Sequence, residues 1–132
     1  MVTGADPSST ARLALAAGRH AALAFLLLFG SRARGDAHGR SDWDFAYVAG
    51  PGLDAVRLAS DLADVLATDR VDLVDLRPAG GLLRFRAARD GRLVFEAEPG
   101  SSERFRIEAC TFWCDAGRTL QQAYQDFLET YR

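Results

Sequence analysis

The run from Ala21 to Phe29 is apolar without interruption and stops at Gly30-Ser31, with Arg32 and Arg34 close behind. It is about half the length needed to cross a bilayer, so it reads as a strand buried on both faces, with Leu26 to Phe29 as its densest part. A strand of that kind needs an apolar layer above it and another below. The 132 residues allow one domain with a single core and leave no room for a second catalytic or recognition domain. A hydrophobic share of 48% and a charged share of 26% suit a folded globular chain.

The flanking segments supply the layers. Met1 to Ser9 is small and polar and reads as a flexible N-terminal arm, leaving residues 10–132 as a single domain. Thr10 can cap a first helix in which Leu13, Ala17, His20 and Ala24 keep helical spacing. Trp43, Phe45 and Tyr47 alternate with Asp44, Ala46 and Val48, the period of a second strand, which Gly50-Pro51-Gly52 ends. Leu53 to Leu66 is helical in rhythm, Val71 to Leu76 reads as a third strand, and Pro78 marks the next helix start. Gly80 to Ala88 is again helical, Asp90-Gly91 is a turn, and Arg92 to Ala97 makes a short fourth strand. After the break at Pro99 to Ser102, Glu103 to Tyr131 suits a long helix, with Gly117 as a point of bending. The fold class is therefore α/β or α+β: a small mixed central sheet of about four strands flanked by helices, with a long C-terminal helix.

Charge narrows the chemistry. All 16 basic residues are Arg against 18 acids, for a net charge of −2 and a pI near 5.6. A general electrostatic grip on nucleic acid is not expected. Without Lys there is neither Schiff-base chemistry nor the lysine of a Walker A loop, so a phosphate must be held by Arg, backbone amides, hydroxyls or metal. No secretory signal is visible, and a cytoplasmic location is expected, with no membrane partner. Cys110 and Cys114 fall on successive helical turns and read as two buried small hydrophobes.

The chemistry gathers around the end of the first strand. Gly30 and Ser31 offer backbone amides and a hydroxyl to a phosphate, and Arg34, with Arg32, can add charge-assisted hydrogen bonds. Ten residues after Ser31 come Asp42 and Asp44, whose carboxylates share one strand face about 6–7 Å apart and converge on a divalent ion. Asp72 and Asp75 are candidates for a third carboxylate; they point to opposite faces, and Asp72 lies opposite Val71 and Leu73. Two-metal phosphoryl or nucleotidyl transfer fits this set, with Asp42, Asp44 and Asp72 as ligands and Asp72 taking the proton of the attacking hydroxyl.

The spacing of Gly30-Ser31 from Asp42-Trp43-Asp44 resembles the DNA polymerase beta-like nucleotidyltransferase superfamily, and Gly30 to Gly35 with Ser41-Asp42 is similar to its minimal nucleotidyltransferase branch. The resemblance extends through Val71 to Leu76, Leu83 to Gly91 and the aromatic final helix to the antitoxin partners of HEPN-domain ribonuclease toxins, and it covers roughly residues 10 to 131. It implies a nucleotidyltransferase palm in which Asp42, Asp44 and Asp72 bind Mg²⁺ and are catalytic, while Gly30, Ser31, Arg34 and Ser41 bind the nucleotide and Ser31 touches its β- or γ-phosphate. It further implies an enzyme that moves AMP from ATP to a tyrosine of a cognate HEPN toxin, releases pyrophosphate and forms a hetero-oligomer with that toxin.

Two other functions compete. One is transfer to a small hydroxylated acceptor such as an aminoglycoside, although the 56 residues after Leu76 are few for a separate substrate domain. The other is a non-catalytic antitoxin that only occludes its partner. His20 is expected on a polar face or as a capped core residue of the first helix, and His38 lies in the loop between Ser31 and Asp42, within reach of a nucleotide. Phe112, Trp113, Tyr124, Phe127 and Tyr131 read as core at helical spacing; any that are exposed mark the first place to look for a toxin contact.

Overall fold

The computed structural model of the chain describes residues 7–34 and 42–130, without the side chains of Pro7 and Arg34. Helix α1 (Pro7–Gly18) leads into strand β1 (Leu23–Phe29), the short helix α2 (Ser31–Arg34) and strand β2 (Trp43–Ala49). Then follow α3 (Ala55–Leu66), β3 (Val71–Asp75), α4 (Gly81–Asp90), β4 (Arg92–Glu96) and α5 (Ser101–Thr130). The strand order is β3-β2-β1-β4. Strand β1 is antiparallel to both of its neighbours, whereas β2 and β3 are parallel because α3 carries the chain back across the sheet. The result is a mixed sheet built from the four strands that the hydrophobic pattern predicts.

The central strand is covered on both sides. Leu26 and Leu28 pack with Leu13, Phe45, Leu58 and Leu62 against α1 and α3. Leu27 and Phe25 pack with Ala46, Leu76, Ala87 and Phe105 against α4 and α5. Leu26, Leu27 and Leu28 are fully buried, and removing each such side chain from water is worth about 1.5–3 kcal/mol. Helix α3 starts on Asp54, whose carboxylate accepts the Arg57 N–H at 3.1 Å. It stops at Ala67, which adopts the left-handed conformation at φ +54°.

Several boundaries differ from expectation. Helix α1 begins at Pro7, not after Ser9, because proline suits a first helical turn where its missing N–H has no partner to lose; residues 1–6 lie outside the described part. It ends at Gly18, where the absent Cβ lets the Phe95 ring approach, so His20 sits in the following turn and Ala24 already belongs to β1. Helix α4 starts at Gly81 with Gly80 as its cap, three residues after Pro78.

Helix α5 departs furthest. Only Ser102, Phe105 and Ala109 are buried, all in its first three turns. The 30 residues form a rod of ~45 Å that runs past the sheet it covers, and the helix continues unbroken through Gly117. Phe112, Tyr124 and Phe127 are 64%, 63% and 57% exposed, and Trp113 is also exposed, so these aromatics are surface and not core. Tyr131 lies outside the described residues. Both thiols are free, and Cys114 is exposed where a buried residue was expected. Among the described residues no helix is long and apolar enough to cross a membrane.

Candidate active site

Strand β1 delivers the chain to Gly30, which holds φ +77°, a conformation that side-chain-bearing residues rarely adopt. A Cβ at this position would stand 2.5 Å from Oδ2 of Asp44. The antiparallel register sets Phe29 opposite Asp44, so the carboxylate occupies the space that glycine leaves at the strand end. Ser31, half-buried, opens α2, and the Ala33 N–H donates to the Gly30 carbonyl at 3.2 Å.

The parallel ladder then sets Asp44 directly beside Asp72. Both point to the α4/α5 side of the sheet, as do Ala46 and Val74 of the same strands. Asp42 is exposed and lies two residues before Asp44, just ahead of β2. Asp75 faces the other way. It pairs in register with Tyr47, whose phenol pKa is raised first by burial and then by the Asp75 charge, and it accepts the Arg77 N–H at 3.0 Å.

Carboxylate oxygens on adjacent strands are the hard donors that Mg²⁺ takes, which makes the donor chemistry suitable. Among the described residues, however, no three Asp, Glu, His or Cys side chains stand close enough to form a cation cage. Asp44 leans on Gly30 and Asp72 is exposed. The fit therefore lies in the strand register, and closing a cage requires the carboxylates to turn about their side-chain torsions.

Arg32 is not placed as expected for an anion ligand. It is 9% exposed, and its guanidinium stacks on the Trp43 ring at 4.3 Å from the centroid. Trp43 belongs to the core on the α1/α3 side, so this charge lies across the sheet from Asp44. The Arg34 side chain, Ser41 and His38 fall outside the described residues.

Basic residues reach the site from another element. Leu28 pairs with Arg92, which brings the end of α4 and the start of β4 beside the end of β1. There a cavity of about 440 Å³ is lined by Phe29, Gly30, Leu83, Arg86, Arg89 and Asp90. Arg89 donates twice to Asp90, at 2.9 Å each, and this pairing raises its pKa further. The signal for this wall was in view, since Arg86 and Arg89 follow the acidic strand β3, but the spacing of arginines on a helix does not say what they face. His20 lies at the opposite end of β1, where its Nε2 stands 2.7 Å from Asp61 Oδ2 and ties the α1–β1 turn to α3.

The chain is 36% identical over 90 residues to the protein adenylyltransferase MntA of Aphanizomenon flos-aquae, a match covering 59% of this chain and 59% of that relative's length. A crystal structure of a toxin–antitoxin with AMP-PNP superposes at a TM-score of 0.68 with 28% identity, covering 94% of this chain and 99% of the other. The MNT antitoxin complex of the tri-AMPylated Shewanella oneidensis HEPN toxin gives a TM-score of 0.64 at 25% identity, covering 92% of this chain and 97% of the other. Residues 14–99, which carry Gly30, Asp42, Asp44 and Asp72, match the family described as polymerase beta, nucleotidyltransferase, and the chain belongs to that family.

Proposed function

We propose that this protein is an Mg²⁺-dependent adenylyltransferase antitoxin that moves AMP from ATP to a tyrosine of a cognate HEPN ribonuclease toxin and thereby silences it. The observation that carries the reading is Asp44 seated against side-chain-free Gly30 with Asp72 in register beside it. That arrangement places two carboxylates on one face at a strand end that continues into Gly30-Ser31. The toxin–antitoxin relatives, one bearing an ATP analogue and one an AMPylated toxin, support the nucleotide and the acceptor.

In this reading Asp42, Asp44 and Asp72 hold Mg²⁺, which when bound offsets the charge of the attacking and leaving oxygens. Gly30, Ser31, Arg34 and Ser41 hold the phosphates. The tyrosine oxygen bonds to the α-phosphorus, the bond from that phosphorus to the bridging oxygen breaks, and pyrophosphate leaves with the electron pair. Asp72 takes the phenol proton. We assign the exposed face of α5, with Phe112, Tyr124 and Phe127, to toxin docking, since large exposed apolar side chains on one helix mark an interaction surface. A chain that consumes ATP belongs in the cytoplasm, and residues 10–132 are read as a single nucleotidyltransferase domain.

The test is incubation of the purified chain with Mg²⁺, labelled ATP and the HEPN product of the adjacent gene. Label should pass to the toxin and be lost with Asp42→Asn. Stable binding of the toxin with no label on it would instead favour occlusion.

A further inference from the structure

We propose that Arg86 of α4 binds the β- and γ-phosphates of the nucleotide and stabilises the pyrophosphate as it leaves. The assignment rests on the nucleotidyl-transfer reading of the site. Arg86 lines the cavity of about 440 Å³ that opens on Phe29 and Gly30, a volume within the range of small-ligand sites. It is exposed, and among the described residues it makes no hydrogen bond, ion pair or ring contact. Two neighbouring arginines are committed: Arg89 is held by Asp90 and lies over Phe85, while Arg32 is stacked on Trp43 across the sheet.

The layout across the strands gives Arg86 its part. The carboxylates stand on β2 and β3, whereas the end of α4 stands beside β4, on the far side of β1. Two strand spacings separate β2 from β4, ~10 Å, a distance that an extended triphosphate lying over Gly30 can bridge. The acidic side then serves the α-phosphate, where the bond to the acceptor oxygen forms. The basic side meets the leaving group, on which negative charge accumulates as the bridging bond breaks. A guanidinium can give a phosphate two parallel hydrogen bonds, and in a chain without Lys this duty falls to Arg.

The experiment measures Mg²⁺-dependent binding of AMP-PNP and of AMP to the full chain, alongside affinity for the toxin. Arg86→Ala should weaken AMP-PNP binding about 10- to 100-fold, the range for losing a charged hydrogen-bond partner, and leave AMP binding and toxin affinity within about twofold. Arg86→Lys should recover part of the loss, and Arg12→Ala, which removes the same charge from the exposed face of α1, should keep the wild-type values. The assignment is overturned if Arg86→Ala binds AMP-PNP like the wild type, if AMP binding falls equally, or if only toxin affinity falls. A wild-type chain that binds no AMP-PNP would overturn the nucleotidyl-transfer reading itself, and the role of Arg86 with it.

Discussion

The two faces of the sheet are built to different ends. On the α1/α3 side, Leu26, Leu28, Phe45, Leu58 and Leu62 are fully buried and serve packing alone. On the α4/α5 side, the same strands give two positions, Asp44 and Asp72, to carboxylates set in register, and the facing helix brings Arg86 and Arg89 to the end of β1. One face supplies cohesion. The other gives up apolar area at its strand ends for carboxylates, an arrangement that stability alone does not favour.

That contrast can be broken from either side. Leu62→Ala on the packing face should destabilise the fold by about 2–5 kcal/mol while leaving AMP-PNP affinity per folded molecule unchanged, which denaturant titration and binding at low temperature would check. A loss of affinity in the folded fraction would show that the two faces are not separable. Gly30→Ala should strike both properties. Its backbone strain costs about 1–3 kcal/mol, and its Cβ meets Asp44 at 2.5 Å, so transfer should fall even at temperatures where the variant stays folded. Unchanged transfer would mean that the seat of Asp44 against Gly30 does not matter.

The smallest effect concerns the start of α5. The Ser102 hydroxyl, then the Ser102 and Gly100 N–H groups, hold the Glu96 pKa below its ordinary value. A carboxylate lowered in the folded state stabilises the fold above the ordinary carboxylate range, and that contribution fades as pH falls through the lowered value. Ser102→Ala should therefore lower the melting temperature slightly at neutral pH and converge with the wild type in acid. A difference that does not change with pH would locate the effect in packing.

Much of this division is legible in the residues. Alternation along β3 sets Asp72 and Asp75 on opposite faces before any coordinates, whereas the pairing of Asp44 with Asp72 needs the register of the parallel ladder. The uninterrupted run ending at Phe29 marks a strand covered on both sides. What periodicity does not encode is what covers an apolar stripe, and so Phe112, Tyr124 and Phe127 read as core although they are surface. Nor does it orient a four-residue helix. Arg32 therefore looked like a phosphate ligand although it stacks on Trp43, while the neighbourhood of Arg86 depends on the β1–β4 pairing, which joins residues far apart in the chain.

The most direct test of the central claim is to measure AMP transfer and thermal stability together in Asp44→Asn. The side chain keeps its size and loses only its charge, so removing a metal ligand should cut transfer to the toxin by about 10³-fold or more in a variant that still unfolds cooperatively. Transfer within a few-fold of wild type in this stably folded variant would contradict the account.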